Sequence, residues 1–152
     1  MGYSRYAYSI KTIRVKEPDF PFHSRRLTCT SETLAFAQEF MKALRDLDHE
    51  ELVAVYLDAQ NKVLGIQRFI GTANQAVVYV RDVFRHALLI NASACILVHN
   101  HPSESPHFSN SDIKLTQRIV DSSGNLDIKI HDHILIAGDR AVSMRDEGLV
   151  TF

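Results

Sequence analysis

The stretch that most constrains this chain is Ala94-Cys95-Ile96-Leu97-Val98, an apolar run that passes straight into His99-Asn100-His101-Pro102. The run is far too short to span a bilayer and has the length of a buried strand. Pro102 cannot continue a ladder, so the chain must leave the sheet there. Residues i and i+2 of an extended backbone share a face. His99 and His101 therefore leave the strand end on one side, and their two imidazoles can reach a single cation.

The surrounding pattern is mixed. Residues 8–16 read as a weak strand, broken by Glu17-Pro18-Asp19-Phe20-Pro21. A helix is expected from an N-cap at Thr30 or Ser31 to about Leu47. Its stripe is Leu34, Ala37, Met41 and Leu44, widened by Phe40, Ala43 and Leu47, with Phe36 at its edge. Leu52–Leu57 and Val63–Ile70 read as a hairpin around Asp58-Ala59-Gln60-Asn61. A short strand is expected over Val77–Val80, then a helix over Arg81–Asn91 with Phe84, Ala87 and Leu88 on its apolar face. After the His-x-His strand, a loop with Pro102 and Pro106 leads to a helix over Asn110–Ser122, with Gly124 as its C′ residue. Short strands over Leu126–Ile130, Ile134–Ala137 and Ala141–Met144 close the chain, the last two around a Gly138-Asp139 turn. The expected fold class is α/β: a single-domain mixed β-sheet flanked by helices. Residues 1–29 read as an N-terminal extension and 30–152 as the domain.

At 152 residues the chain is long enough to bury a core of its own. With 45% hydrophobic and 23% charged residues, it falls outside the disordered class. A formal net charge of -1 argues against a dedicated nucleic-acid binder. The basic residues among the first 26 read as a solvated surface. Cys29 and Cys95 form neither a CxxC pair nor a disulfide framework, and both suit a reducing cytoplasm. The N-terminus lacks the apolar stretch of a secretion signal. The expectation is a cytoplasmic protein with no membrane partner.

Asp112 falls in the first turn of the helix that follows the His-x-His loop, where the helix dipole favours a carboxylate. Two His and one Asp leave zinc one open position, as in catalytic sites, and a donor set of imidazole and oxygen without thiolate suits zinc. Taken separately, each half has a plainer meaning. His-x-His occurs by chance at strand ends, and Ser109-x-x-Asp112 is a capping box in outline.

Together they are more specific. His-x-His-Pro, six residues, then Ser-x-x-Asp resembles the motif of the JAB/MPN (JAMM) metalloproteases. The surroundings are similar to the RadC-like branch: Glu50, Val55-Tyr56-Leu57-Asp58, Gly71-Thr72, Arg81-Asp82, Asn91-Ala92-Ser93-Ala94 and His99-Asn100-His101-Pro102-Ser103. Asp132-His133-Ile134 and Ser143 to Gly148 resemble the family's ending, so the likeness covers roughly residues 30–150.

The resemblance implies a cytidine-deaminase-like architecture and one zinc ion per chain on His99, His101 and Asp112. It implies Ser109 steadying the water or the developing oxyanion, and an upstream carboxylate as general acid and base. Glu50 takes that part ahead of its neighbour Glu51, which points the other way once the strand has begun. The implied activity is metallopeptidase or isopeptidase chemistry on a peptide or protein substrate. Three positions depart from the branch: Glu104 stands where glycine is usual, and Phe108 and Val80 each stand where proline is usual. They put substrate choice in question rather than the ligand set.

His23, His49 and His86 have no partner at ligand spacing, and His107 reads as a solvent-facing loop residue. For His131-Asp132-His133 a structural or supporting hydrogen-bond role outranks a second metal. The competing function is a DNA-repair-associated or nucleic-acid-interacting protein, since the branch carries a DNA-repair name. The charge is unfavourable for that, and the short extension shows no Gly-rich hairpin. An HNH-type nuclease fits poorly, because its residues are separated in a ββα unit. A scaffold that binds without cutting is disfavoured by the complete ligand set. Edge strands of a short mixed sheet leave room for a homodimer.

Overall fold

A computed structural model describes residues 25–42, 49–71 and 78–152. The expected strand at 8–16, residues 43–47 of the first helix, Thr72, Val77 and His23 lie outside the described residues. The elements are α1 (Thr30–Met41), β1 (Glu51–Leu57), β2 (Val63–Ile70), α2 (Val80–Leu89), β3 (Ala94–Asn100), α3 (Asn110–Ser123), β4 (Lys129–Ala137) and β5 (Arg140–Ser143). One five-stranded sheet has the order β2-β1-β3-β4-β5. All its pairings are antiparallel except β3 with β4. A parallel pair needs a crossover, and α3 supplies it. This is the α/β class with a mixed sheet that the pattern implied.

β1 and β3 are buried from end to end because helices cover both faces of the sheet. Alternation sorts their side chains. Val53, Val55 and Leu57 join Ala94, Ile96 and Val98 under Phe36 and Ala37 of α1. Leu52, Ala54 and Tyr56 join Cys95 and Leu97 under Val83, Phe84 and Ala87 of α2 and Ile119 of α3. Each such large apolar side chain stabilises the fold by roughly 1.5–3 kcal/mol relative to exposure. The Tyr56 hydroxyl donates to the Val83 carbonyl at 3.0 Å, which satisfies a buried polar tip and ties α2 to the sheet. Cys95 is free and buried, as its apolar run suggested.

Several sequence expectations need correction. The N-cap of α1 is Cys29, not Thr30 or Ser31, and its side chain makes no cap bond. Thr28 and Glu32 bond each other there instead. Phe36 is wholly buried rather than at an edge, because the inward face runs through Thr33, Phe36, Ala37 and Phe40. Thr33 can occupy that face since its hydroxyl donates to the Cys29 carbonyl. Val78 and Tyr79 are not in a strand, and Val80 already opens α2. Four β-formers cannot be told from a helix approach by pattern alone. On α2, Val83 is buried and Leu88 is 53% exposed. Gly124 is helical (φ -60°) and begins a 3-10 turn, and the left-handed residue that ends it is Asp127 (φ 54°). Leu126 belongs to that turn, and the two expected strands after it merge into the single β4. Gly138 takes φ 58° in the β4–β5 turn, the conformation expected of the first central residue of a type II′ hairpin.

One irregularity matters for the site. Cys95 pairs with Ile130, but Ile96 pairs with Asp132, so His131 is an extra residue in β4. Ile130 packs on the α2–α3 side. Strict alternation would turn residue 133 to the other face. The bulge resets the parity and returns His133 to the face that carries His99.

Candidate metal centre

His99 and His101 leave the end of β3 on the α3 side of the sheet, and both are buried. Their Nε2 atoms lie 3.0 Å apart. Asp112 is brought to them by the opening of α3. Ser109 is the N-cap and makes a full capping box with Asp112 at N3. The Asp112 amide donates to Ser109 Oγ at 3.1 Å, and the Ser109 amide and hydroxyl each donate to Asp112 Oδ2 at 2.7 Å. The same Oδ2 lies 3.6 Å from His99 Nε2 and 3.5 Å from His101 Nε2.

The chemistry of these three atoms defines what they can hold. His101 Nδ1 faces the Ser105 carbonyl at 3.0 Å, and a carbonyl only accepts, so Nδ1 carries the proton. In the neutral ring Nε2 is then a bare lone pair aimed at a carboxylate oxygen. Acceptors converging in a buried place repel unless a proton or a metal cation sits among them. A triangle with sides of 3.0, 3.5 and 3.6 Å has its equidistant point about 2.0 Å from each corner. That is the length of a zinc–nitrogen or zinc–carboxylate bond, roughly 2.0–2.2 Å. Among the described residues His99, His101 and Asp112 form the His/Cys/Asp/Glu group that could hold a metal ion.

Protonation in the metal-free cluster follows the same contacts. Burial alone would lower the His101 pKa, but hydrogen bonding to Asp112 and to the Ser105 carbonyl outweighs it and raises the value. Burial works against the Asp112 carboxylate too, yet the His101 and His99 imidazoles beside it and the Ser109 hydroxyl hold its pKa far below the ordinary range.

Glu50 and Glu51 lie on opposite sides. Leu52 of β1 pairs with His99. One register step beyond the ladder, Glu50 stands opposite His101, and its charge contributes to the raised His101 pKa. Glu51 begins the strand, is wholly buried, and meets Arg68 of β2 through two hydrogen bonds.

Asn100, between the two histidines, faces away from them. Its Oδ1 accepts from the Glu51 amide at 2.8 Å and its Nδ2 donates to the His49 carbonyl at 3.1 Å. These bonds bracket Glu50 from both sides, a role the sequence did not suggest. Thr116 was missed as well, and Phe108, noted only as a departure from the branch, packs on the site. The Phe108 ring flanks the rings of His99 and His133 at 5.7 and 5.6 Å between centroids.

His99 Nδ1 lies 2.8 Å from His133 Nε2. Asp132 does not approach the site. It accepts from the amides of His133 and Arg145 and from the Ser143 hydroxyl, pinning the turn that follows β5. His131 bonds Asn61, and His86 faces the Asp82 carbonyl. His107 is exposed on the loop.

Comparison with known proteins places the chain in a family. A family model described as "RadC-like JAB domain" matches residues 29–149. The chain belongs to the RadC-like JAB domain family. A "UPF0758 protein" of Desulforamulus reducens is 40% identical over 111 residues, covering 72% of this chain and 49% of the relative. One from Methanosarcina acetivorans is 41% identical over 108 residues, with 70% and 47% covered. One from Salinibacter ruber is 35% identical over 126 residues, with 82% and 53% covered. The chain thus spans about half the length of the curated relatives it matches, and their names state no activity.

The position where the branch favours glycine has a backbone reason. Glu104 adopts φ 59°, a left-handed conformation that glycine takes without strain. The Glu104 carboxyl lies against Gly138, where an added Cβ would stand 3.3 Å from it. Among the described residues no helix is long and apolar enough to cross a membrane.

Proposed function

We propose that this domain is a zinc-dependent hydrolase of amide bonds, a metallopeptidase or isopeptidase, with one zinc ion per chain held by His99, His101 and Asp112. The observation that carries the proposal is the convergence of two imidazole Nε2 atoms and one carboxylate oxygen around a point about 2.0 Å from each. Three protein ligands leave a position open, and zinc held there supplies Lewis acidity and makes water a competent nucleophile near neutral pH.

The chain's own groups do the rest. Glu50, opposite His101, accepts a proton from the attacking water and delivers it to the departing amine. Asn100 holds the backbone on either side of Glu50, so the carboxylate is presented from a fixed strand start. Ser109 keeps the Asp112 carboxylate in position. Exposed at the helix opening, its hydroxyl can turn from Asp112, which the Ser109 amide still holds, to the carbonyl oxygen on which charge develops.

Elemental analysis tests the ligand set. Wild type is expected to carry about one zinc per chain and His101→Ala close to none. Purified protein is then incubated with peptide and isopeptide substrates, with and without a chelator. Cleavage that survives complete removal of the metal would refute the mechanism.

A further inference from the structure

Beyond the three candidate ligands, the α3 side of the sheet holds an unbroken chain of buried polar atoms. Thr116 lies one turn beyond Asp112 on α3, and its hydroxyl donates to the Asp112 carbonyl at 2.7 Å. The oxygen of that hydroxyl lies 2.6 Å from His133 Nδ1. His133 Nε2 in turn lies 2.8 Å from His99 Nδ1. Thr116 and His133 are buried, and His99 is 3% exposed.

The direction of every proton in this chain follows from its end. The Asp112 carbonyl has no proton to give, so it takes the single hydroxyl proton of Thr116. Thr116 Oγ1 must then accept from His133, which places the His133 proton on Nδ1. The His133 ring is wholly buried and its two ring nitrogens meet a hydroxyl and an imidazole rather than a carboxylate, so with the proton on Nδ1 its Nε2 presents a lone pair. That lone pair accepts from His99 Nδ1, and a neutral His99 with its proton on Nδ1 has a bare Nε2. This is the atom that faces His101 and Asp112. We infer that Thr116 and His133 are positioning residues, a proton-ordering relay that fixes the tautomer of His99 and keeps its Nε2 ready for a metal cation. The inference rests on the proposed metal site for its purpose, though not for its geometry.

Two features strengthen the relay. The bulge at His131 is what turns His133 towards His99. The Phe108 ring flanks both histidines and limits water access, so each bond acts in a low-dielectric setting. Partners of this kind commonly change metal affinity by about 10- to 100-fold.

The test uses the full chain with 15N-labelled histidine, first treated with chelator. Long-range 1H–15N spectra are expected to show His133 with Nδ1 protonated and Nε2 unprotonated. A His133 protonated on Nε2 would overturn the relay, because the chain would then run the other way and leave the His99 proton on Nε2. Zinc affinity, measured by competition with a chromophoric chelator, is expected to fall about tenfold or more in Thr116→Val and His133→Phe. Thr116→Ser, which keeps the hydroxyl, is expected to retain wild-type affinity. Thr116→Val conserves shape if His133→Phe proves unable to fold. Unchanged affinity in a folded Thr116→Val also overturns the inference. A wild type that binds no zinc overturns the proposed function instead, while the spectra still decide the direction of the relay.

Discussion

Two carboxylates, one wholly buried and one partly buried, stand on opposite faces of the same sheet end, and they are built to different purposes. Glu51 is wholly buried and is matched by Arg68, so its charge is closed within the protein. Asp112 faces two imidazoles whose nitrogens on that side are acceptors when neutral, so its cluster reaches balance only with a cation. A closed pair holds a strand in place, and an open one binds something. The difference arises from alternation along β1 and β3. One parity turns Glu51 and Asn100 towards the α1 side, and the other turns His99 and His101 towards α3.

The sharpest break in this comparison comes from the neighbouring acids. Glu50→Gln is expected to lower amide hydrolysis by about 10²- to 10⁴-fold while zinc content stays unchanged. Steady-state rates and elemental analysis on the same preparation check this. Retained activity would remove Glu50 from the mechanism.

Breaking the closed pair should act on stability alone. Arg68→Ala strands the buried Glu51 charge and is expected to cost about 3 kcal/mol, near the low end for such a pair because Arg68 is half exposed. Urea unfolding reads the loss. Zinc per folded chain is expected to stay at the wild-type level, and loss of metal would show that the two clusters are coupled.

Acid should open the other cluster. Imidazoles must be neutral to ligate, and the His101 pKa lies above its ordinary 6.5. Zinc affinity is therefore expected to climb with pH through that raised value, by up to about tenfold per unit for each proton displaced. The metal-free protein behaves differently. There Asp112, with its pKa depressed, contributes stability above its unfolded value near 3.8. His101, with its pKa raised, contributes fully below 6.5 and loses that contribution as pH rises through its folded value. The proton-held cluster is thus most stabilising between those limits. Affinity that is flat from pH 5 to 8 would contradict this arrangement.

The smallest expected effect is that of Ser109→Ala. Losing the cap should cost about 1 kcal/mol of stability, read as a modest shift in thermal midpoint. Any further loss of turnover at constant zinc content would measure the hydroxyl's work on substrate.

Much of the fold was legible where local chemistry suffices. The hairpin of β1 and β2 follows from two strand-forming runs around Asp58, whose Oδ1 accepts from the Gln60 and Lys62 amides. The β3–loop–α3 unit follows from an apolar run, a proline and a capping box. The misplaced details share one cause. Which face of α1 or α2 turns inward depends on what lies beneath it, so Phe36 and Val83 were undervalued and Leu88 overvalued. The end of α3 was misjudged because Gly124 can continue a helical turn as readily as end one.

By itself the sequence determined the mixed α/β sheet, the strand that delivers His99 and His101 to one side, and the helix opening that presents Asp112. Each of these lies within a few residues of chain, where spacing and propensity act directly. Tertiary structure alone decided that the three donor atoms meet at bonding distance, that Asn100 brackets Glu50, and that His133 reaches His99. The Asn100 and His133 contacts join residues 34 to 51 positions apart through strand pairing, the latter through a one-residue bulge, and the ligands meet only where the loop after β3 folds α3 back onto the strand end. Strand register and bulges are set by packing of the whole sheet between its helices, and no local pattern encodes them.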